Sequence, residues 1–524
     1  MERRVLLAAV LSGVVIILWF SLFAPPRPAV SPAPATPGPA REAATPGAAS
    51  APAPSEPAAP VTPAPAAVAG QDTSEVTLEG GGWTARLSPR GGVITSLILT
   101  AYRDQEGSPL DLVRPGAAPP LAIGAPGAWN DDLYATEHGA GWVELRWSDG
   151  KGNWVDKRVS VGKGTYALDV EVRAGGEAAR AGVVLACGLE KGLKADQQGR
   201  FGGADAVVRV GGKVERVTAA KVEGVRSLRG SFDFAGVEDQ YFLVALLPSE
   251  GVEEVRIRSV GSGPAAVPQV AVVGSGGVVR GTLYTGPKER SILIGYGRGL
   301  EETLSFGLFG FLSIGFLAAL RWIYGWVGNW GVAIIVLTAG IRILLFPLNH
   351  KSAVAMKRMQ TLQPKMKAIQ ERYKERAKKD PTVRARMNQE VMALYKQEGV
   401  NPMGGCLPML VQLPILWALY SLFAYAIELR QAPFVFWIHD LAAKDPTYIT
   451  PILMTASMVL QQRMAPQMGD PAQRRMFMLM PFIFGFMFIS FPAGLVLYWL
   501  VNNLFTIGQQ MLTERMMSNP APAK

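Results

Sequence analysis

The spacing of apolar positions changes several times along the chain, and each change predicts a different element. Val5 to Phe23 runs for 19 residues without a charge, directly behind Arg3 and Arg4. A cleavable signal has an apolar stretch of about 7–15 residues, whereas a bilayer span needs about 20. Residues 1–23 therefore read as a transmembrane signal anchor that starts in the cytoplasm. Its removal stays open as an alternative, because small residues suited to cleavage follow it. From about 73 to 298 the apolar stretches shorten to runs such as GVITSLIL, WVELRWS, YALDVEVR, DQYFLVALL and PQVAVVG, broken by Gly, Pro and Asp. Short strands rich in Val, Leu, Tyr and Trp predict an all-β sandwich over 73–298. The anchor leads out of the cytoplasm, which places this sandwich in the periplasm.

Long apolar runs return after residue 300. Spans are expected near 330–349, 403–427, 448–464, 476–492 and 493–511, which with the anchor make six transmembrane helices and leave both termini in the cytoplasm. Residues 304–327 are apolar enough for a further span, but a crossing there would carry the next, strongly basic loop out of the cell. The segment 299–329 is instead expected to be an interfacial amphipathic helix along the outer leaflet, with Trp322, Tyr324 and Trp326 at headgroup level. The predicted fold class is thus an α-helical polytopic membrane protein with a large periplasmic all-β sandwich domain and a cytoplasmic helical hairpin. Its five-helix core covers 330–512. The hairpin, 351–402, is read from an apolar seam of Met356, Met359, Leu362, Met366, Ile369 and Tyr373, and from Met387, Val391 and Leu394 beyond Asp380-Pro381. These methionines serve either as core filler or as an adaptable surface for varied partners.

Composition and charge sharpen this layout. The chain is 49% hydrophobic and only 18% charged, which fits membrane spans better than one soluble core. Residues 24–72 hold 14 of the 39 prolines and form an extended linker. Residues 351–402 carry 13 Lys/Arg against 5 Asp/Glu, within a net charge of +10. Beside a span such a cluster marks the cytoplasmic face and anionic headgroups rather than nucleic acid. Residues 513–524, with Arg515 and Lys524 as their bases, form a short cytoplasmic tail. Cys187 and Cys406 fall on opposite sides of the membrane, so a disulfide between them is not expected. His138, His350 and His439 are scattered without HExxH or CxxC spacing, and GxxxxGK[ST] is absent. No metal, cofactor or enzymatic chemistry is expected, and acids on strand edges do not make a glycosidase pair.

One span contains a charge. The run LTAGIRILLFPL, 337–348, carries Arg342. Arg at a bilayer centre costs about 2.5–3.5 kcal/mol on insertion scales, so such residues face protein or water and mark a function. The five C-terminal spans hold no Asp or Glu in their interiors, but they do hold Thr338, Gln412, Ser421, Gln461, Gln462, Ser490, Asn502, Asn503 and Thr506. These neutral groups, together with water, are able to solvate a guanidinium. Two readings follow. Arg342 lies about six residues, roughly 9 Å, from the cytoplasmic end of its helix, within snorkelling range. Alternatively it stands in a hydrated groove, open to the cytoplasm, that attracts acidic or polar segments of another polypeptide.

The stretches LTAGIRILLFPL, LQPKMKAIQERYK, MALYKQEGVNPMGGCLPMLVQLPILWALY, ELRQAPFVFWIHDL and FPAGLVLYWLVNNLFTIGQQ together resemble the YidC/Oxa/Alb family of membrane protein insertases, in its Gram-negative YidC branch. The likeness is strong over about 305–512, and the anchor, linker and sandwich match that branch in layout. It implies an insertase and chaperone of the bacterial inner membrane. Such a protein acts on nascent membrane proteins, alone or with the Sec translocon, through a positively charged groove. On this resemblance the groove arginine is Arg342, the substrate-contacting threonine Thr338, the aromatic pair Tyr498 and Trp499, and a groove glutamine Gln462. Asn502, in the same last span, is assigned to the groove as well. Gram-negative relatives often have two tyrosines at the aromatic pair, so Trp499 departs from the pattern. The hairpin with Met356, Met359, Met366 and Met387 resembles the family's cytoplasmic hairpin for substrate capture and contact with the ribosome or the signal-recognition-particle receptor. Membrane lipids are the remaining partner, and no direct nucleic-acid role is expected. A secondary transporter, or a glycan-binding membrane scaffold, is the alternative class.

Overall fold

The computed structural model describes residues 66–104, 106–189, 203–261, 266–400, 407–464 and 471–518. The anchor expected over 1–23 and most of the linker lie outside the described residues.

The first half is built of antiparallel strands. They are β1 (Val76–Gly80), β2 (Trp83–Ser88), β3 (Val93–Arg103), β4 (Pro109–Asp111), β5 (Ala135–Gly139), β6 (Trp142–Ser148), β7 (Trp154–Val161), β8 (Ala167–Gly175) and β9 (Val183–Cys187). There follow β10 (Asp205–Val210), β11 (Lys213–Thr218), β12 (Val225–Arg229), β13 (Phe232–Glu238), β14 (Phe242–Pro248), β15 (Val252–Val260), β16 (Val267–Gly274) and β17 (Val278–Pro287). A nine-stranded sheet, in the order β11-β10-β13-β14-β17-β8-β7-β6-β5, is covered by two four-stranded sheets, β1-β2-β3-β4 and β12-β15-β16-β9. The first packs through β1 on β6 and β7, the second through β9 and β16 on β13 and its neighbours. Alternation drives the outer strands: Trp83, Ala85 and Leu87 of β2 are fully buried while the residues between them are not. The middle strand β14 is buried at every position, FLVALLP, as a strand covered on both faces must be. The expectation of an all-β domain needs one correction. Two short helices, α1 (Glu177–Ala181) and α2 (Arg290–Tyr296), interrupt it, and Leu293 of α2 is drawn into the β core.

The second half is helical. Helix α3 (Gly310–Val327) buries Ser313, Leu317, Leu320 and Ile323 and exposes Phe311, Trp322 and Trp326 on its other side. It ends at Gly328, whose left-handed φ of 64° lets its N–H reach the Tyr324 carbonyl. Asn329 then caps α4 (Trp330–Thr361), accepting from the Val332 N–H at 3.0 Å. After α4 come α5 (Gln363–Lys379), α6 (Pro381–Gln397), α7 (Leu407–Tyr425), α8 (Ile449–Met464), α9 (Pro471–Phe488) and α10 (Ala493–Ser518).

Three expected boundaries move. The span expected to stop at 349 continues to Thr361, so Met356 and Met359 belong to α4 and not to a separate hairpin helix. The break comes at Leu362, because Pro364, in the first turn of α5, has no N–H to continue the ladder. The span expected from 476 begins at Pro471 as α9, taking in Arg474 and Arg475 from the stretch expected to separate two spans, and α10 continues through 513–518, where a tail was expected.

The two halves meet along residues 426–431. Ile427 is buried in the β core and Leu429 in the helical core. Arg430 donates to the Arg103 carbonyl at 2.7 Å and lies 5.2 Å from the Phe242 ring centroid, while Gln431 donates to the carbonyls of Arg103 and Asp104. Arg321 of α3 pairs with Glu428 and, at 3.7 Å, with Glu289 beside α2. Apolar knobs and ion pairs thus hold the segment after the C-terminal end of α7 against the β domain. Asp445 fixes the start of α8 by accepting from the N–H and hydroxyl of Thr450 at 2.8 and 2.6 Å. Burial raises the Asp445 carboxyl, and hydrogen bonds from Thr450 and Thr447 outweigh it, bringing the group down to about 2.

Candidate functional site

Helix α10 is the centre of the helical half, packing on α4, α7 and α8. Polar side chains at i and i+4 on one of its stripes meet partners from two neighbours. Asn502 Oδ1 accepts from Arg342 Nε of α4 at 2.6 Å. One turn earlier, the Tyr498 hydroxyl accepts from Gln412 Nε2 of α7, also at 2.6 Å, with its ring 1% exposed. Among the described residues Asn502 is the one hydrogen-bond partner of Arg342, and no carboxylate pairs with it. Next to the guanidinium is an open cavity of about 390 Å³ between α4 and α10, walled by Phe346, Phe505, Gly508, Gln509 and Leu512. The site is therefore a cation with one neutral partner, at the edge of a largely apolar space.

The remaining polar groups of the spans do not converge on that charge. Thr338 is 1% exposed and its hydroxyl donates to the Ile334 carbonyl one turn back, at 2.7 Å. Thr506 does the same to Asn502, at 2.8 Å, and Ser421 bonds within α7 and to Ser313 of α3. Asn503 Nδ2 donates to Ser457 of α8 at 3.0 Å. Gln462 stands half-buried on α8 and is not among the cavity's walls. Hydroxyls in apolar surroundings satisfy themselves on the nearest backbone carbonyl, which leaves few of them to solvate a neighbour.

Comparison with known proteins identifies the family. Residues 75–318 match the family described as "YidC periplasmic domain" and residues 322–520 the family described as "60Kd inner membrane protein". The membrane protein insertase YidC of Syntrophus aciditrophicus is 35% identical over 97% of this chain and 99% of its own length. That of Geobacter metallireducens is 37% identical over 97% and 98%. The chain belongs to the YidC family of membrane protein insertases. A crystal structure of an active YidC insertase with its first transmembrane domain resolved aligns over 85% of this chain and 94% of that one, at 19% identity and a TM-score of 0.37.

The aromatic pair divides. Tyr498 faces α7 and the Arg342 stripe, whereas Trp499 turns to α9, stacking on Phe484 and packing at a tilt against Phe488, with centroids 6.2 and 5.2 Å away. The four methionines expected in the hairpin are buried or half-buried. Met359 is buried with Leu362 and Val400, Met356 lies against that cluster, Met366 Sδ accepts from the Tyr395 hydroxyl at 2.6 Å, and Met387 is half-buried. The cavity walls Phe346, Phe505, Gly508 and Gln509 were missed in the sequence, although Phe346 lies one turn beyond Arg342 and 505, 508, 509 and 512 share a helical stripe. Their signal is steric: a Cβ at Gly508 meets no atom within 4 Å, which marks open space.

Proposed function

We propose that this chain carries the insertase activity of its family and receives the polar, translocated segment of a substrate in the cavity beside Arg342. The observation that carries this reading is a guanidinium with, among the described residues, a single neutral partner next to an open cavity of about 390 Å³. A charge left so weakly compensated inside a bundle is stabilised by water or by an incoming polar group, and both lower the barrier for a segment crossing hydrocarbon. In this reading the anchor, α4, α7, α8, α9 and α10 are the six spans, with both termini in the cytoplasm of a bacterial cell. The hairpin of α5 and α6, within the 13-cation stretch 351–402, is cytoplasmic. Helix α4 supports this: its 32 residues reach roughly 48 Å, longer than a hydrocarbon layer of about 30 Å, so its last turns leave the membrane toward the hairpin.

Helix α3 is long and apolar enough to cross as well. We assign it to the outer surface, because a crossing would reverse the charge rule. Its polar contacts agree, since Ser313 meets Ala418 and Ser421 in the outer half of α7 and Arg321 meets Glu428 beyond its end. Nascent membrane proteins are the substrates in this reading, and the Sec translocon and a ribosome or targeting receptor are working partners. The test is photocrosslinking to a stalled nascent membrane protein. A probe at Gly508 is expected to capture the chain, and one at the exposed, lipid-facing Leu479 of α9 is not. Equal capture from both positions, or none from 508, would overturn the reading.

A further inference from the structure

The bond between Arg342 and Asn502 contains more than a contact. Arginine has donors only, so the atom of Asn502 facing Nε is its carbonyl oxygen. With Nε held, rotation about the last side-chain bonds is restricted and the plane of the guanidinium is set. The two terminal nitrogens, which have no partner among the described residues, then form the outer edge of a planar fork at the cavity wall. A fork of this kind matches a carboxylate or phosphate in two parallel bonds, which a lysine ammonium does not reproduce.

We infer that Asn502 is a positioning residue. It presents the terminal nitrogens of Arg342 to the cavity so that they take an aspartate or glutamate carboxylate of the substrate segment in bidentate fashion. The inference rests on the reading of the cavity as the substrate site and adds the residue that sets the orientation of its cation. Depth favours a carboxylate over a lipid phosphate. Arg342 lies 12 residues after Trp330, the first residue of α4, which is roughly 18 Å of helix and past the middle of a hydrocarbon layer about 30 Å thick. Phosphates lie at the headgroups, while a translocating side chain passes this level.

The test uses the full chain in vesicles and two single-span substrates, alike except that the translocated segment carries two aspartates in one and two asparagines in the other. The readout is the ratio of their insertion rates. Asn502→Leu removes the acceptor and is expected to lower the ratio about threefold to tenfold. Arg342→Lys keeps the charge without the fork and is expected to lower it similarly. Asn502→Asp supplies an internal carboxylate to the guanidinium and is expected to bring the ratio close to one. Asn502→Gln, which retains an amide oxygen, is expected to restore much of it. A loss of bulk structure would not move a ratio between two substrates in this ordered way. If Arg342→Ala leaves the ratio at its wild-type value, the cavity reading itself falls. If Arg342→Ala collapses the ratio while Arg342→Lys and Asn502→Leu preserve it, only the positioning role is overturned. A ratio that follows the anionic lipid content of the vesicles and not the substrate's charge assigns the fork to phosphate and also overturns it.

Discussion

Lys157 in the β domain and Arg342 in the helical bundle are both long cations among apolar neighbours, and they are surrounded in opposite ways. Lys157 is fully buried on β7, and its Nζ donates to the carbonyls of Gly91 and Gly92 at 2.7 and 3.0 Å and lies 4.8 Å from the Tyr134 ring centroid. The two glycines have φ of 71° and 57°, a left-handed pair that turns both carbonyls inward and that side chains with a Cβ resist. Burial pushes the Lys157 ammonium down to about 7. Every direction around that nitrogen is occupied by protein. Among the described residues Arg342 has one neutral partner, beside a cavity. An internal charge enclosed by acceptors is part of the architecture, whereas one left half-solvated beside a space is available to something that is not yet there.

The largest effect that separates the two concerns stability. Lys157→Met leaves two buried carbonyls without a donor, at about 1–3 kcal/mol each, so the thermal midpoint of the full chain, followed by tryptophan fluorescence, should fall by several degrees. Arg342→Met removes a poorly compensated charge and should leave the midpoint unchanged or raised. Equal losses from both variants would erase the distinction. The same lysine adds a pH signature. Its folded-state pKa, about 7, lies below the ordinary 10.5, so between these values the unfolded chain binds more protons and stability rises with pH. That rise should be present in the wild type and missing in Lys157→Met.

Function should respond in the reverse order. Arg342→Ala is expected to slow insertion of substrates with acidic translocated tails about tenfold, a difference of about 1.4 kcal/mol, and strongly apolar ones much less. Lys157→Met should not alter that ratio. Equal slowing of both substrate classes by Arg342→Ala would remove the cavity from the account. The smallest effect is expected at Trp499. Its ring is engaged with Phe484 and Phe488 of α9, so Trp499→Tyr should change crosslinking from Gly508 less than twofold. A large change would mean that the indole reaches the substrate path after all.

Much of the layout was legible in one dimension, and the misreadings share a cause. Periodicity located the strands and the long apolar helices after residue 330 because run length and charge placement are local properties. It could not see that the helical period continues unbroken from 330 through the basic residues after 349, so the end of α4 was set by the first charges and not by Pro364. In the site, residue type alone grouped nine polar positions around Arg342. Thr338, Ser421 and Thr506 proved to be bonded to carbonyls of their own helices. An intrahelical hydrogen bond leaves no trace in composition, and neither does a cavity, which consists of what the side chains fail to fill.

From its sequence alone the chain determined the β-rich and helical halves, the side of the membrane its charges favour, and an arginine without an acidic neighbour in its span. These are consequences of run length, turn residues and net charge, which need no partner. The tertiary structure decided which groups meet. Asn502 and Asn503 are adjacent and identical in kind, yet one holds Arg342 and the other Ser457. The reason is geometric: successive residues of an α-helix point about 100° apart, so neighbours in the chain face different helices. Their roles were assigned by packing.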